Sequence, residues 1–224
     1  MADMTDIFEF WKNVGPAEKV HPDDKQILGN LNLSHGLKLD CLPVPFYGPL
    51  KTAPIVLLYL NPGFQSQDEE AAQTKEGQEF WFNQRQGNAP LRSQINKKPK
   101  SWWVARTKSF NRDAELLRDK MAVLEICPYH SKSFKDMPLL AALPSCRTAI
   151  AWAQSILFPE AQRGERLVIC LRSPRYWGLS KGKRYGKLLF APEMTAQGGF
   201  MLNGPMRNII VAEAQNIIDK VAVH

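Results

Sequence analysis

Cysteine is scarce in this chain and never paired at short range: Cys41, Cys127, Cys146 and Cys170 stand far apart, and no C-x-x-C occurs. That spacing excludes the usual zinc and dithiol motifs. Cys127 and Cys170 sit inside apolar runs, so the four are read as reduced, packed thiols. No apolar run reaches the roughly 18 residues that a membrane-spanning helix requires. The opening MADMTDIFEF carries acids where a secretory signal carries bases. The protein is therefore expected in the cytoplasm, away from membranes. There is no internal repeat and no low-complexity segment, and an apolar content of 44% argues against global disorder. A length of 224 residues fits one α/β domain with elaborated loops.

Acid is missing from two long stretches. From Arg92 to Arg112 there are seven Lys or Arg and no Asp or Glu, interleaved with Trp102, Trp103 and Phe110. From Arg163 to Lys187 eight bases face Glu165 alone, with Tyr176, Trp177 and Tyr185 among them, and the whole chain carries a net charge of +7. Cations for phosphates beside aromatic faces for bases is what nucleic-acid binding requires. The expected phosphate contacts are Lys97, Lys98, Lys100, Arg106 and Lys108 in the first stretch, with Arg172 and Arg175 in the second. Each stretch taken alone is equally consistent with a solvated basic surface whose aromatics pack inward.

What the chain does have is four apolar runs of strand length: IVLLYL at 55–60, MAVLEIC at 121–127, RLVICL at 166–171 and KLLFA at 187–191. They are apolar at odd and even positions alike, the pattern of strands buried on both faces in a parallel sheet. Helices are expected over 4–13, 112–119, 139–158 and 206–223. In the last of these Ile209, Ile210, Ala212, Ile217 and Val221 share much of one face. The segment from the first helix through Pro49 reads as a loop-rich lead-in, and the 15 residues RSPRYWGLSKGKRYG between the third and fourth runs hold no more than a short helix and a basic loop. The expected architecture is a three-layer α/β/α sandwich, one domain over 1–224 with 1–41 as a helical and loop extension.

Ligands of such sheets bind beyond the C-terminal strand ends. The first strand ends in LNPGFQS, where Pro62 removes a donor and Gly63 permits φ values closed to other residues, so the chain turns sharply and holds Asn61 at the rim. Asn-Pro-Gly is also ordinary turn chemistry. The second strand ends in LEICPYHSKS, with Glu125 an acid in an otherwise apolar strand, costly unless paired or functional. The fourth ends in FAPEMTAQGGF.

LNPGFQS resembles the first motif of the uracil-DNA glycosylase superfamily, in the Asn-Pro-Gly version of the mismatch-specific and single-strand-selective enzymes. LEICPY is similar to the second-strand element of the latter, with Glu125 where those enzymes place a base-reading Asn. The resemblance runs from about residue 42 to the C-terminal helix and implies a four-stranded parallel sheet of order 2-1-3-4. It implies a hydrolase of base-excision repair that flips a damaged or deaminated base out of DNA and cleaves its N-glycosidic bond without metal or cofactor. Asn61 matches the water-positioning amide; a carboxamide orients water through its carbonyl oxygen and does not titrate. Phe64 is the first candidate for stacking on the base, with Phe80 and Trp81 in EFWFNQ as further candidates and core packing the alternative for each. Glu125 either reads the base edge or forms a structural ion pair. As a carboxylate it accepts only, which favours bases presenting amino or imino donors over plain uracil. Thr195 and Gln197 would contact DNA from the fourth-strand loop. The expected partner is single- or double-stranded DNA, bound by a monomer.

One departure is marked. The family's fourth strand ends in His-Pro-Ser or Asn-Pro-Ser, supplying a donor to the leaving base; here Ala191-Pro192-Glu193 stands in that place, and Ala191 has no donor to give. His130, just past the second strand, is the candidate substitute, against a plain loop histidine. The rival expectation is a catalytically silent protein that binds nucleic acid or a nucleobase in the same pocket.

Overall fold

The computed structural model describes residues 5–30, 36–91, 107, 110, 117–195 and 200–221. Helices α1 (Ile7–Lys12) and α2 (Pro22–Gly29) open the chain, followed by β1 (Leu37–Lys38), β2 (Phe46–Tyr47) and β3 (Ile55–Tyr59). Next come α3 (Ser66–Gln73), α4 (Lys75–Arg85), β4 (Met121–Glu125) and β5 (His130–Ser131). A helical run comprises α5 (Leu139–Ala142), α6 (Pro144–Trp152), a π-helical turn (Ala153–Leu157) and α7 (Phe158–Arg163). β6 (Leu167–Cys170), a 3₁₀ turn (Pro174–Trp177), β7 (Lys183–Tyr185), β8 (Leu189–Ala191) and α8 (Pro205–Val221) complete the described chain.

The main sheet runs β2-β4-β3-β6-β8-β7. β4, β3, β6 and β8 are parallel, while β2 and β7 pair antiparallel at the two edges. The sheet is therefore six-stranded and mixed, with two antiparallel edge strands beyond the four expected. β2 and β7 have two and three residues, too few for any alternation to show in the sequence. A separate two-stranded ribbon pairs β1 with β5.

The doubly apolar runs are explained by the burial of both sheet faces. Val56, Leu58, Ala122, Leu124, Val168 and Cys170 pack with Ile7, Trp11, Ala149 and Trp152 on one side. Ile55, Leu57, Met121, Val123, Leu167 and Ile169 pack with Ile210, Ala214 and Ile218 of α8 on the other. The buried stripe of α8 thus falls at every fourth residue. Ile209, expected in it, is 41% exposed, because the neighbour of a buried helical position points about 100° away.

Two further expectations are corrected. The helix expected over 139–158 is interrupted where Leu143 turns extended before Pro144 and then runs on to Arg163, since the residue before proline avoids helical geometry. α2 lies in the stretch read as a loop. α3 and α4 were not anticipated; the helix expected over 112–119 lies mostly outside the described residues. Among the described residues no helix is long and apolar enough to cross a membrane.

The N-terminal segment is tied to the sheet by polar contacts as well as apolar ones. The Tyr129 hydroxyl donates to Asp24 Oδ2 at 2.5 Å, and Ser145 N–H, at the start of α6, donates to Asp24 Oδ1 at 3.1 Å. Arg85, at the end of α4, donates to the carbonyls of Gly15 (3.0 Å) and Pro43 (3.4 Å). Its burial lowers the guanidinium pKa to about 10, so it remains charged at neutral pH.

Candidate functional site

Parallel strands point the same way, so the chain leaves β3, β4, β6 and β8 along one edge of the sheet. Asn61, Glu125, Arg172 and Ala191 stand at that edge. Tyr59 and Glu125 are direct neighbours across the β3–β4 pair, and Asn61 follows Tyr59 by two residues.

The Asn61 amide is held by its nitrogen. Nδ2 lies 2.9 Å from Pro62 O, 3.2 Å from Tyr129 O and 2.9 Å from Ser131 Oγ. Two of these partners are carbonyls and can only accept, so the NH₂ group is assigned to that side and Oδ1 to the other. Among the described residues no donor reaches Oδ1. The turn behind Asn61 is locked too: Ser131 N–H donates to Pro62 O at 3.1 Å, and Gly63 bridges to Ser131. His130 is buried, with Nδ1 2.7 Å from Gly63 O and 3.4 Å from Asp68 Oδ2. A carbonyl requires a donor, so Nδ1 carries the proton and Nε2 is an acceptor in the neutral ring. His130 therefore clamps the Asn-Pro-Gly turn through Nδ1.

Gly63 itself departs from expectation. Its φ is not positive, and a Cβ built on it would meet no atom within 4 Å. Neither backbone strain nor packing demands glycine there. What the missing side chain leaves is a bare outer surface on the turn beside Asn61.

Glu125 is 3% exposed, and its Oε2 has no hydrogen-bond partner. No cation pairs with it among the described residues. Burial alone holds its pKa well above the ordinary carboxylate range, because an ionised carboxylate without a partner is too costly in a dry site. A protonated carboxyl donates through O–H and accepts through C=O, the same pair of functions an amide offers.

Phe64 follows the turn, half-buried, with the Lys38 and Lys132 ammonium groups 5.0 and 5.4 Å from its ring centroid. Phe80 and Trp81 sit on α4 in an edge-to-face series with Tyr47, their centroids 5.0 Å apart and Trp81 6.3 Å from Tyr47. Phe64, unlike these two, is joined directly to the Asn61 turn.

The basic stretches divide. Lys97, Lys98, Lys100, Arg106, Lys108 and Gln197 lie outside the described residues. Phe110 is buried in the core, so it cannot serve as an interleaved platform. In the second stretch Arg163 pairs with Glu165, and Arg166 binds Glu160 and the Ala53 and Leu50 carbonyls at the far end of β6. Trp177 is fully buried. Arg172 and Arg175 remain exposed at the site edge, with Arg175 stacked on Tyr176 at 4.5 Å. Between them Ser173 adopts φ 53, a left-handed conformation uncommon outside glycine. Such outliers concentrate at functional sites.

On the fourth strand Ala191 is fully buried and its carbonyl accepts from Gly182 N–H at 2.7 Å. Thr195 is partly buried with a hydroxyl lacking any partner, while its backbone N–H donates to Phe200 O at 2.8 Å. The four cysteines are free and buried, and desolvation pushes Cys41 and Cys170 up to about 12, leaving them protonated and unreactive at neutral pH. Among the described residues no group of three or more His, Cys, Asp or Glu is placed to hold a metal ion.

No protein-family model, curated protein or solved structure gives a significant match to this chain.

Proposed function

We propose that the protein is a nucleobase-excising N-glycosylase of the uracil-DNA glycosylase kind, working in the cytoplasm on a deaminated or damaged base. The parallel core, taken in the order second, first, third, fourth, then corresponds to the four-stranded sheet of that fold. The observation that carries the reading is the Asn61 amide: its nitrogen is consumed by three oxygens, and its carbonyl oxygen is held rigid with no partner in the described chain. A fixed acceptor at a sheet edge is suited to orienting a water for attack on a sugar carbon. Orientation, and not proton abstraction, is what a carboxamide can supply.

Glu125 supports the reading in a revised form. As a neutral acid it matches an edge with one donor and one acceptor side by side, such as the imide edge of uracil or the lactam edge of hypoxanthine or xanthine. The substrate class is therefore a deaminated base, and plain uracil is again within it. Phe64 is the base platform, and Arg172 and Arg175 serve phosphates. The departing base carries negative charge that Ala191 cannot meet; backbone N–H groups or protonated His130 are left for that work, at a loss on the order of 10²- to 10³-fold in rate for one missing donor.

The test is direct. Single- and double-stranded oligonucleotides containing uracil, hypoxanthine or xanthine are incubated with the protein and then treated with alkali. The expected outcome is strand breakage that falls by at least about 100-fold in Asn61→Ala. The buried Ala191 methyl favours one rival, a silent nucleic-acid binder. Salt-sensitive binding without abasic sites on any of these substrates would establish that instead.

A further inference from the structure

We propose that Lys38 and Lys132 form a phosphate clamp closed over Phe64, which opens the Phe64 ring to a base when a nucleotide's phosphate draws the lysines away. This rests on the nucleic-acid reading of the site but not on excision. The two lysines come from the β1–β5 ribbon, whose register places Lys38 opposite His130 and Leu37 opposite Ser131. Lys132 is the next residue along, so it lies diagonal to Lys38 on the same side of the ribbon, within side-chain reach. Both ammonium groups converge on one ring, at 5.0 and 5.4 Å.

Neither lysine is ion-paired among the described residues. The nearest acid the ribbon engages, Asp68, is occupied by His130 and by Gln65 N–H. Two cations have thus been gathered beside the Asn61 turn, since Ser131, which accepts from Asn61, immediately precedes Lys132. Gly63, just before Phe64, leaves the surface next to them bare.

An exposed ammonium over a phenyl ring is a weak interaction, and a charge-assisted contact to phosphate is stronger. A phosphate therefore competes the lysines off the ring. The face they vacate is the one a neighbouring base needs for stacking, so phosphate capture and base stacking become successive uses of one small structure. In the free protein both ammonium groups rest against the ring.

The experiment is fluorescence anisotropy of the full chain with a 5′-labelled, undamaged single-stranded deoxyoligonucleotide across a series of salt concentrations. Lys38→Ala and Lys132→Ala are each expected to lower the slope of log K against log salt by about 0.7, and the double variant by about twice that. Phe64→Leu is expected to weaken binding by roughly 10-fold with the slope unchanged, as a lost stacking contact does. Lys75→Ala, on α4 beside Glu79, leaves both quantities at wild-type values. Unchanged slopes in the two lysine variants, or no oligonucleotide binding by wild type at low salt, overturn the clamp. Heparin binding that depends equally on both lysines, with no Phe64 contribution to oligonucleotide binding, also overturns it and marks a general polyanion surface. Excision needs no undamaged strand, so abasic sites formed by a protein whose lysine variants keep their slope would sink the clamp alone. Lysine-dependent binding without excision would sink only the glycosylase.

Discussion

Two buried acids in this molecule meet opposite fates. Asp24 is fully buried and Glu125 is 3% exposed. Asp24 receives the Tyr129 hydroxyl at 2.5 Å and the Ser145 N–H at 3.1 Å, and so welds the N-terminal segment to α6 and to the loop after β4. Glu125 ends β4 only four residues before Tyr129 and receives nothing at Oε2. One acid is spent on the fold; the other leaves an oxygen without a hydrogen-bond partner at the sheet edge. A buried polar atom with no partner costs about 1–3 kcal/mol, and a fold retains that cost where a ligand supplies the partner.

The comparison breaks most readily under substitution. Asp24→Ala should cost about 3 kcal/mol in urea unfolding, since two buried donors lose their acceptor at once. Glu125→Leu should change stability by less than about 1 kcal/mol or raise it, because it removes an unsatisfied group and keeps its volume. Equal costs for the two would end the distinction drawn between them.

A pH series sharpens it. Burial raises the folded-state pKa of Glu125 above its unfolded value, so the folded state binds the extra proton. The contribution to stability is then fully present below the unfolded pKa and is lost as pH rises through the window above it. Between about pH 5 and pH 8 the urea midpoint of wild type should fall more than that of Glu125→Gln, which cannot titrate. Parallel curves would mean that Glu125 does not carry a proton into the folded state.

The smallest effect is expected at Gly63. With no positive φ and no atom within 4 Å of a built Cβ, Gly63→Ala should leave the melting temperature within about a degree or raise it slightly, since it reduces the freedom of the unfolded chain. It should nevertheless weaken oligonucleotide binding several-fold by filling the bare surface beside Asn61. Melting temperature and anisotropy on one preparation decide the point.

How far the sequence could be read follows from where its information is local. The parallel strands were legible because burial on both faces leaves an uninterrupted apolar run. α3 and α4 were not, since their buried positions are Ala72, Gly77, Gln84 and Arg85, a set with no apolar period. The Gln65–Asp68 capping box and the Thr74 cap were the signals that could have revealed them. Glu125 stands out in the sequence as an acid among aliphatics, but the lack of a hydrogen-bond partner at its Oε2 is a tertiary fact. The lock on Asn61 comes from Tyr129 and Ser131, some seventy positions away, and no local motif encodes it. Lys38 and Lys132 carry no local signal, because the ribbon that joins these two depends on a pairing of two-residue strands.

The central claim is that Asn61 and a neutral Glu125 address one planar base at the shared strand edge. It is tested most directly by abasic-site formation at neutral pH in Glu125→Gln and Glu125→Ala, measured beside wild type on the substrate it excises fastest. The account predicts that the Gln variant stays within a few-fold of wild type and that the Ala variant falls about 10- to 200-fold, the effect of losing a ligand hydrogen-bond pair worth roughly 1–3 kcal/mol. Excision by Glu125→Ala at the wild-type rate would contradict it.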